Sequence, residues 1–258
     1  MSYVGGLDIG SVATKAVVGQ SEGETLLVVG RGLAPTGWRP IVGAEQALEL
    51  ALDTAGLYRE DLAALGATGY GRDLLLGAGV RATEVTCQAR GMHHLLPNIR
   101  TVVDIGGQDS KILRVNEFGD VLDFALNDRC AAGTGRFLEV MARALGMTLD
   151  EMGRSAVSAA EVCTLSSTCT VFAESEVIGL LARGHSREAV AAGLCHAIAR
   201  QVIALAAQIG LERPVALTGG VAHNEGVRAA LAAQLDAEVI VPENPQYTAA
   251  LGAAILAA

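Results

Sequence analysis

The sequence contains two copies of one short pattern, DIGSVATK at residues 8–15 and DIGGQDSK at residues 104–111. In each copy an apolar run leads into Asp-Ile-Gly, a short polar turn follows, and a Lys stands seven positions after the Asp. Apolar residues then resume, as expected for a β-hairpin whose glycine-rich turn exposes backbone N–H groups. Two such turns, one in each half of a duplicated chain, predict two lobes that bind the phosphates of one nucleotide.

The composition indicates a globular chain with a core of aliphatic and small side chains. The 258 residues are 51% hydrophobic but only 3% aromatic, and 31 glycines suggest several turns defined by the backbone. A net charge of −9 without a basic run argues against nucleic acid or an anionic membrane as the main partner. No apolar run reaches the ~18–20 residues needed to span a bilayer, and the start lacks the basic segment of a signal peptide. We therefore expect a cytoplasmic protein.

Hydrophobic periodicity predicts alternating strands and helices without a flexible linker. Strands are predicted within 3–33 and near 62–68, 101–116, 120–126 and 215–218. Helices are predicted near 43–56, 84–96, 133–145, 171–182, 187–210, 224–235 and 247–258.

Two of these helices have a predicted inward face. Phe137, Met141 and Leu145 form one stripe of the helix at 133–145. Val171, Ile178 and Leu181 are expected to face inward on the helix at 171–182.

The repeated turns carry the predicted nucleotide site, since the chain has neither a P-loop sequence nor a GxGxxG that follows a strand. Such turns form anion-binding concavities, and a Lys beside each adds positive charge. Asp8 and Asp104 are predicted to hold Mg²⁺ through its water molecules. A third element, LTGGVAHN at 217–224, lets the backbone approach a base or ribose closely. The predicted nucleotide-binding residues are Gly10, Ser11, Thr14, Lys15, Gly106, Gly107, Gln108, Asp109, Lys111, Gly219 and Gly220.

These elements follow one another in the order found in the actin/Hsp70/sugar-kinase (ASKHA) superfamily of ATPases, which the chain resembles over its whole length. The resemblance implies an α/β fold of two duplicated RNase H-like lobes that close on Mg-ATP. We expect the first lobe at residues 1–98, joined by the C-terminal helix at 246–258, and the second at 99–245. Asp104 and Gln108 are candidates to orient the hydrolytic water, and Asp8 is expected on the metal side.

The chain has five cysteines, an odd number that argues against a disulfide framework and leaves free thiols or metal ligands. Cys130 and Cys169 each precede a predicted helix, where exposed N–H groups and the helix dipole favour a thiolate. A [4Fe–4S] cluster takes four thiolates, so two chains related by a two-fold axis would complete it. Their position alone also suits buried structural thiols, as most free cysteines are.

The stretches NDRCAAGTGRFLEVMARALG (127–146) and STCTVFAESEVI (167–178) resemble the two signature stretches of the BadF/BadG-type ATPases. These are ATP-dependent activators of 2-hydroxyacyl-CoA dehydratases and ATPase subunits of benzoyl-CoA reductases. The resemblance implies that Cys130 and Cys169 ligate a [4Fe–4S] cluster bridging two subunits. It further implies an electron donor such as ferredoxin or flavodoxin, and an iron–sulfur dehydratase or reductase as acceptor.

Other residues are assigned smaller roles. Cys163 is expected to be a bystander, Cys87 and Cys195 to pack in the interior, and His93–His94 to form a helix-surface pair without metal. Glu139 is a candidate link between the nucleotide and the cluster.

Several alternatives stay open. Tyr70 and Arg72 in TGYGR (68–72) face either the nucleotide or a partner protein. The rival function is a sugar or amino-sugar kinase, or a cluster-free regulatory ATPase, of the same superfamily. A kinase should carry an Asp base in a sugar-binding loop, and none stands out between residues 30 and 80. The acyl-CoA and the choice between homodimer and heterodimer are left undetermined.

Overall fold

The first of two sheets is built around the N-terminal hairpin. The structure is a computed structural model that describes residues 2–22, 25–166 and 169–258. The strands of this sheet are β1 (Ser2–Ile9), β2 (Ala13–Glu22), β3 (Thr25–Pro35), β4 (Leu62–Thr68) and β5 (Val80–Arg81). Their order is β3-β2-β1-β4-β5, with β1 antiparallel to β2 and parallel to β4. The central strand therefore has its hairpin partner on one side and a parallel strand on the other.

The second sheet repeats this arrangement. Its strands are β6 (Thr101–Ile105), β7 (Ser110–Val115), β8 (Val121–Asn127), β9 (Val215–Thr218) and β10 (Val239–Ile240). Their order is β10-β9-β6-β7-β8, and the central β6 is antiparallel to β7 and parallel to β9. The two halves share one topology, which is the duplicated α/β fold that the repeated motif predicts.

Eight α-helices accompany the sheets within the described ranges, and the chain divides into two compact units. The first unit contains described residues up to Ile99, Val115–Leu122 and Gln246–Ala258, and the second contains Arg100–Arg114 and Asp123–Pro245. Helices of the first unit are α1 (Pro40–Ala55), α2 (Glu84–Leu95) and α8 (Thr248–Ala257). Helices of the second unit are α3 (Gly135–Leu145), α4 (Leu149–Ser158), α5 (Thr170–Ala182), α6 (Arg187–Ala206) and α7 (Glu225–Leu235).

The first sheet is covered on both faces, and glycines allow the helices to approach it. A Cβ placed on Gly32 would collide with the backbone of α1, and one on Gly6 or Gly66 with the backbone of α8. Glycine also allows two helices to pack closely, since a Cβ on Gly252 of α8 would collide with the carbonyl of Cys87 in α2. Many glycines therefore serve close packing inside strands and helices, a use that the expectation of glycine-defined turns did not include.

The core of the second unit confirms one predicted helix face and corrects another. Phe137, Met141 and Leu145 of α3 are all buried, as their stripe predicts. The predicted inward face of α5 is wrong for Val171 and Ile178, which are 70% and 59% exposed, whereas Leu181 is partly buried and packs against the core. The inward residues of α5 are instead Ala173, Val177 and Leu180.

Helix α6 differs from expectation in both length and hydropathy. It ends at Ala206 rather than near residue 210. It is long and apolar enough by length and composition to cross a membrane, contrary to the expectation that no run would be, but 72% of its most apolar window is buried inside the protein. A buried helix in a protein core can be as long and as apolar as a membrane span, so the high hydropathy of α6 is explained by its place in the core.

The helix α4 was not predicted, although its beginning carries a clear signal. Thr148 caps the helix by accepting from the N–H of Glu151, whose carboxylate accepts in return from the N–H of Thr148. This reciprocal capping box is written in the sequence as Thr-x-x-Glu. Few apolar residues follow it and only Met152 and Gly153 are buried, so the helical periodicity of the segment is weak.

We expect Gly252→Ala to lower the free energy of unfolding by about 1–3 kcal/mol, because the added methyl overpacks the contact between α8 and α2. The matched control is Gly179→Ala in α5, where a Cβ meets only Arg183 Nη1 at 3.5 Å. Alanine there should raise stability by about 0.5–1 kcal/mol through its helix propensity. Chemical denaturation of both variants measures the difference, and equal effects would contradict the packing argument.

Candidate functional site

In both halves the Asp and the Lys of the repeated motif are cross-strand partners. Asp8 lies opposite Lys15, with Nζ 3.1 Å from Oδ2. Asp104 lies opposite Lys111 at 3.7 Å, and Lys111 is also 2.7 Å from Asp109. Neighbouring cross-strand residues project from the same face of a sheet. Each hairpin therefore holds a carboxylate and an ammonium group together beside its turn.

A threonine from the neighbouring parallel strand completes each arrangement. Thr68 of β4 lies beside Asp8, and Thr218 of β9 lies beside Asp104 and donates to its Oδ1 at 3.3 Å. Three adjacent strands thus contribute Thr, Asp and Lys in one line, which we call the Thr–Asp–Lys row. The row occurs once in each unit and is the structural form of the sequence repeat.

A glycine with positive φ follows the threonine in both rows. Gly69 has φ 90° and Gly219 has φ 83°. A Cβ on Gly69 would collide with the carbonyl of Ile9, and one on Gly219 with the carbonyl of Ile105. TGYGR at 68–72 is therefore the first-unit counterpart of the Thr-Gly-Gly at 218–220. Sequence reasoning missed this relation, although a strand ending in Thr-Gly occurs in both halves.

The first turn is supported from behind by threonines. Thr36 donates its hydroxyl to the carbonyl of Gly10 at 2.7 Å, and Thr14 lies 2.9 Å from Thr36. Thr14 is fully buried, so this predicted nucleotide-binding residue supports the turn and presents no exposed hydroxyl. Ser11 is exposed at the turn itself.

The second turn is closed on itself and bonded to α3. The N–H of Gly106 donates to the carbonyl of Asp109 at 2.9 Å. The carbonyls of Gly106 and Gly107 accept from the N–H groups of Gly135 and Arg136 at the start of α3. Gln108 is exposed. Among the predicted catalytic residues, Asp8 and Asp104 belong to the rows of the first and second unit, and Gln108 is exposed at the tip of the second turn.

The five cysteines separate into two groups. Cys130 and Cys169 are exposed, while Cys87, Cys163 and Cys195 are buried. Cys169 is the N-cap residue of α5, and Cys130 lies in the loop that precedes α3. Helices α3 and α5 pack against each other. The two predicted ligands thus lie on the N-terminal sides of two neighbouring helices, Cys169 as the N-cap residue of one and Cys130 in the loop before the other. Ser167 and Thr168, which open the second signature stretch, lie outside the described residues.

Burial makes the other three thiols chemically quiet. It raises the pKa of Cys87 to about 11 and that of Cys195 to about 12. Desolvation likewise raises the pKa of Cys163. A thiol rather than a thiolate at neutral pH is neither a good nucleophile nor a good metal ligand. The predicted packing roles of Cys87 and Cys195 agree with these positions.

Three apolar residues of α5, the helix that begins after Cys169, are exposed. Phe172 is 66% exposed, and with Val171 and Ile178 it makes up what we call the α5 apolar face. Large apolar side chains that lie exposed together usually mark a surface that a partner covers.

Within the described ranges, no three His, Cys, Asp or Glu side chains are grouped closely enough to hold a metal ion. His93 and His94, predicted to be a surface pair, are half-buried instead, and His94 Nε2 lies 3.0 Å from the carbonyl of Leu26. Glu139 forms an exposed ion pair with Arg136 at 3.0 Å.

Residues 6–257 match the model of the BadF/BadG/BcrA/BcrD ATPase family. The chain belongs to this family. It is 46% identical to the activator of lactoyl-CoA dehydratase of Anaerotignum propionicum, over 99% of this chain and 97% of the relative.

Solved structures of family members agree with the fold. Component A of the (R)-2-hydroxyglutaryl-CoA dehydratase of Acidaminococcus fermentans superposes with a TM-score of 0.94 and 40% identity, covering 100% of this chain and 98% of that one. The activator of the 2-hydroxyisocaproyl-CoA dehydratase of Clostridium difficile, solved with ADPNP bound, gives 0.92 and 42%, covering 99% and 94%. A ROK family glucokinase of Streptomyces griseus, at 0.62 and 15% identity, shares the fold alone. The predicted fold class and ATPase family are thereby confirmed.

We expect brief alkylation of the native metal-free protein by iodoacetamide at pH 8 to modify Cys130 and Cys169 and to leave the buried cysteines unmodified. Cys87 and Cys195 stay protonated well above this pH because burial raises their pKa values to about 11 and about 12, and alkylation requires the thiolate. Cys163 is shielded by its burial, which also raises its pKa. Raising the pH toward 11 should begin to label Cys87 before Cys195, provided that the fold persists. Peptide mass spectrometry measures each site, with urea-unfolded protein as the reference in which all five react.

The two glycines at 219–220 provide a matched pair of variants. Gly219→Ala should lower the free energy of unfolding by about 2 kcal/mol, because alanine is strained at positive φ and its methyl meets Ile105. Gly220→Ala should leave stability unchanged, since a Cβ there meets nothing within 4 Å. Thermal unfolding and ADPNP titration of both variants test whether the Thr-Gly-Gly turn requires glycine at position 219. A stable Gly219→Ala protein with normal nucleotide affinity would contradict that requirement.

Proposed function

We propose that this protein is an ATP-dependent electron-transfer activator of a 2-hydroxyacyl-CoA dehydratase or of a benzoyl-CoA reductase-type enzyme. Two identical chains would share one [4Fe–4S] cluster, each contributing Cys130 and Cys169. The observation that carries the proposal is the division of the thiols into two groups. The two exposed ones precede two helices that pack together, Cys169 as the N-cap residue of α5 and Cys130 in the loop before α3, and the other three are buried. Relatives named as dehydratase activators, at 40–46% identity over nearly the whole chain, support it.

The donor set fits half of such a cluster. Four thiolates are needed and one chain offers two exposed thiols, so a second copy supplies the remainder across a two-fold axis. Cys169 is the N-cap residue of α5, at the end of the helix that carries partial positive charge. A bound [4Fe–4S] cluster would supply one-electron redox chemistry.

The Thr–Asp–Lys rows are the proposed machinery for the nucleotide. Lys15 and Lys111 would balance phosphate charge, and Asp8 and Asp104 would hold Mg²⁺ through water, as Mg²⁺ retains several waters in proteins. Gln108 is exposed at the tip of its turn and is the side chain best placed to orient a water molecule. Asp104 accepts from Thr218 and faces Lys111, which fixes the direction of its carboxylate oxygens.

The proposed partners are those that the family resemblance implies. A reduced ferredoxin or flavodoxin would be the donor and an iron–sulfur dehydratase or reductase the acceptor, all within the cytoplasm. The α5 apolar face lies on the helix that begins after Cys169 and would be covered by the second subunit or by the acceptor enzyme. Covering it removes apolar surface from water, which favours association.

We expect protein purified without oxygen to be brown and to contain about four irons per dimer. Cys130→Ser and Cys169→Ser should each lose the iron while retaining affinity for ADPNP, because neither thiol belongs to the nucleotide turns. Cys163→Ser is the matched control, since that thiol is buried and should leave the iron content unchanged. Iron analysis, electron paramagnetic resonance and ADPNP titration provide the measurements.

A colourless, iron-free protein that phosphorylates a hexose would overturn the proposal in favour of the sugar kinase. Iron retained by both Cys130→Ser and Cys169→Ser would show that other groups are the ligands.

A further inference from the structure

The second turn, residues 106–110, which we call the second phosphate turn, is joined by three hydrogen bonds to the start of α3 and to the end of the loop that carries Cys130. The carbonyls of Gly106 and Gly107 accept from the N–H groups of Gly135 and Arg136 at 2.9 and 2.8 Å. Ser110 donates its hydroxyl to the carbonyl of Gly133 at 2.5 Å. All three bonds link residues 106–110 to residues 133–136, so a displacement of the turn is passed directly to the end of the loop.

Ser110 is the side chain in this connection. It is only 3% exposed, and it is the first residue of β7, paired with Ile105 across the turn. Because Ser110 is paired within the hairpin, it moves together with the hairpin. Its hydroxyl donates to a backbone carbonyl three residues after Cys130.

Asn127 holds the other end of the same loop. Its Nδ2 donates to the carbonyls of Cys130 and Ala132, both at 3.0 Å. Its Oδ1 accepts from the N–H of Cys130 at 3.3 Å. Within the loop, Thr134 bonds through both its N–H and its hydroxyl to the carbonyl of Ala131. Residues 127–134 are therefore braced internally and should move as one piece.

A cavity of about 290 Å³ lies beside this connection. It is lined by Ser110, by Asn127, Cys130, Ala132 and Gly133 of the loop, and by residues of α6 that include Gln201 and Leu205. The loop meets α6 closely at one point, since a Cβ on Gly133 would lie 3.2 Å from the Cβ of Gln201. Ser110 and Asn127 themselves border the cavity, so the loop has open volume beside the two side chains that hold it.

We infer that Ser110 and Asn127 are positioning residues that make the environment of Cys130 depend on what occupies the second phosphate turn. The inference rests on the proposed function for the nucleotide at that turn, but it does not require a cluster. Allosteric coupling needs two sites and a connecting element whose arrangement both sites bias, and the braced loop is that element. Cys169 is the N-cap residue of α5 and its carbonyl accepts from the N–H of Ala173, so its thiol is a reference outside the loop.

The test measures alkylation of Cys130 and Cys169 in the metal-free dimer or monomer, whichever is obtained, with and without Mg-ADPNP. In the wild-type protein the nucleotide should change the Cys130 rate about fivefold or more, the lower range of measured allosteric couplings. In Ser110→Ala this ratio should fall toward one, while ADPNP affinity stays near the wild-type value. Any effect of the nucleotide on Cys169 should be the same in both proteins.

Two further variants keep the result interpretable. Asn127→Asp retains the acceptor for the Cys130 N–H but loses both donated bonds, and it should also reduce the ratio. Ser158→Ala is the control, since Ser158 Oγ donates to the carbonyl of Ser155 at 3.1 Å on the exposed helix α4. It should preserve the full response. If Ser110→Ala does not fold, Asn127→Asp decides the matter.

The outcomes separate the two proposals. ADPNP binding with an unchanged Cys130 rate, or a full response in a folded Ser110→Ala protein and in Asn127→Asp, would overturn the coupling alone. A nucleotide-dependent Cys130 rate in a protein that never takes up iron would overturn the cluster and leave the coupling intact. Absence of ADPNP binding would overturn the nucleotide assignment and the coupling with it.

Discussion

The pairing of an Asp with a Lys across each hairpin is the interaction on which the site depends. Asp8 faces Lys15 and Asp104 faces Lys111, and both carboxylates stand where a central strand reaches its turn. Because side chains alternate between the two faces of a sheet, a slip of one residue would move either carboxylate to the other face. The apolar residues of the same strands prevent this slip, since it would expose the core. Packing therefore fixes the register, and the register places the charges.

Small residues allow this register to be buried on both faces. The chain is only 3% aromatic, and several of its glycines lie where a helix backbone meets a strand. Helices that approach so closely leave little room for a sheet to bend, which suits hairpin turns that must keep their shape. The same close packing explains why Gly91 and Gly252 lie where α2 crosses α8, since a methyl group on either would collide with a carbonyl of the other helix.

The sequence predicts the strands and charges well because they follow from local rules. Asp-Ile-Gly with a Lys seven positions later specifies a hairpin, and its recurrence specifies the duplication. The correspondence between Thr68-Gly69 and Thr218-Gly219 was available in principle, but it depends on which strands become neighbours. The outward face of α5 was not predictable from periodicity, because Val171, Phe172, Val177, Ile178, Leu180 and Leu181 leave few polar positions to mark one side. Its exposure reflects what lies around it in the fold.

An incomplete set of ligands connects cofactor binding with association in the proposed dimer. One chain presents two exposed thiols, so in that dimer the loss of metal and the loss of the shared junction would be one event. The α5 apolar face acts in the same direction, since covering it gains roughly 25 cal/mol for each Å² of apolar surface. The net charge of −9 on each chain opposes the approach and does so less as salt rises. Association would thus depend on thiolate–metal bonds and apolar contact, which accounts for exposed Cys130 and Cys169 in a chain that buries its other cysteines.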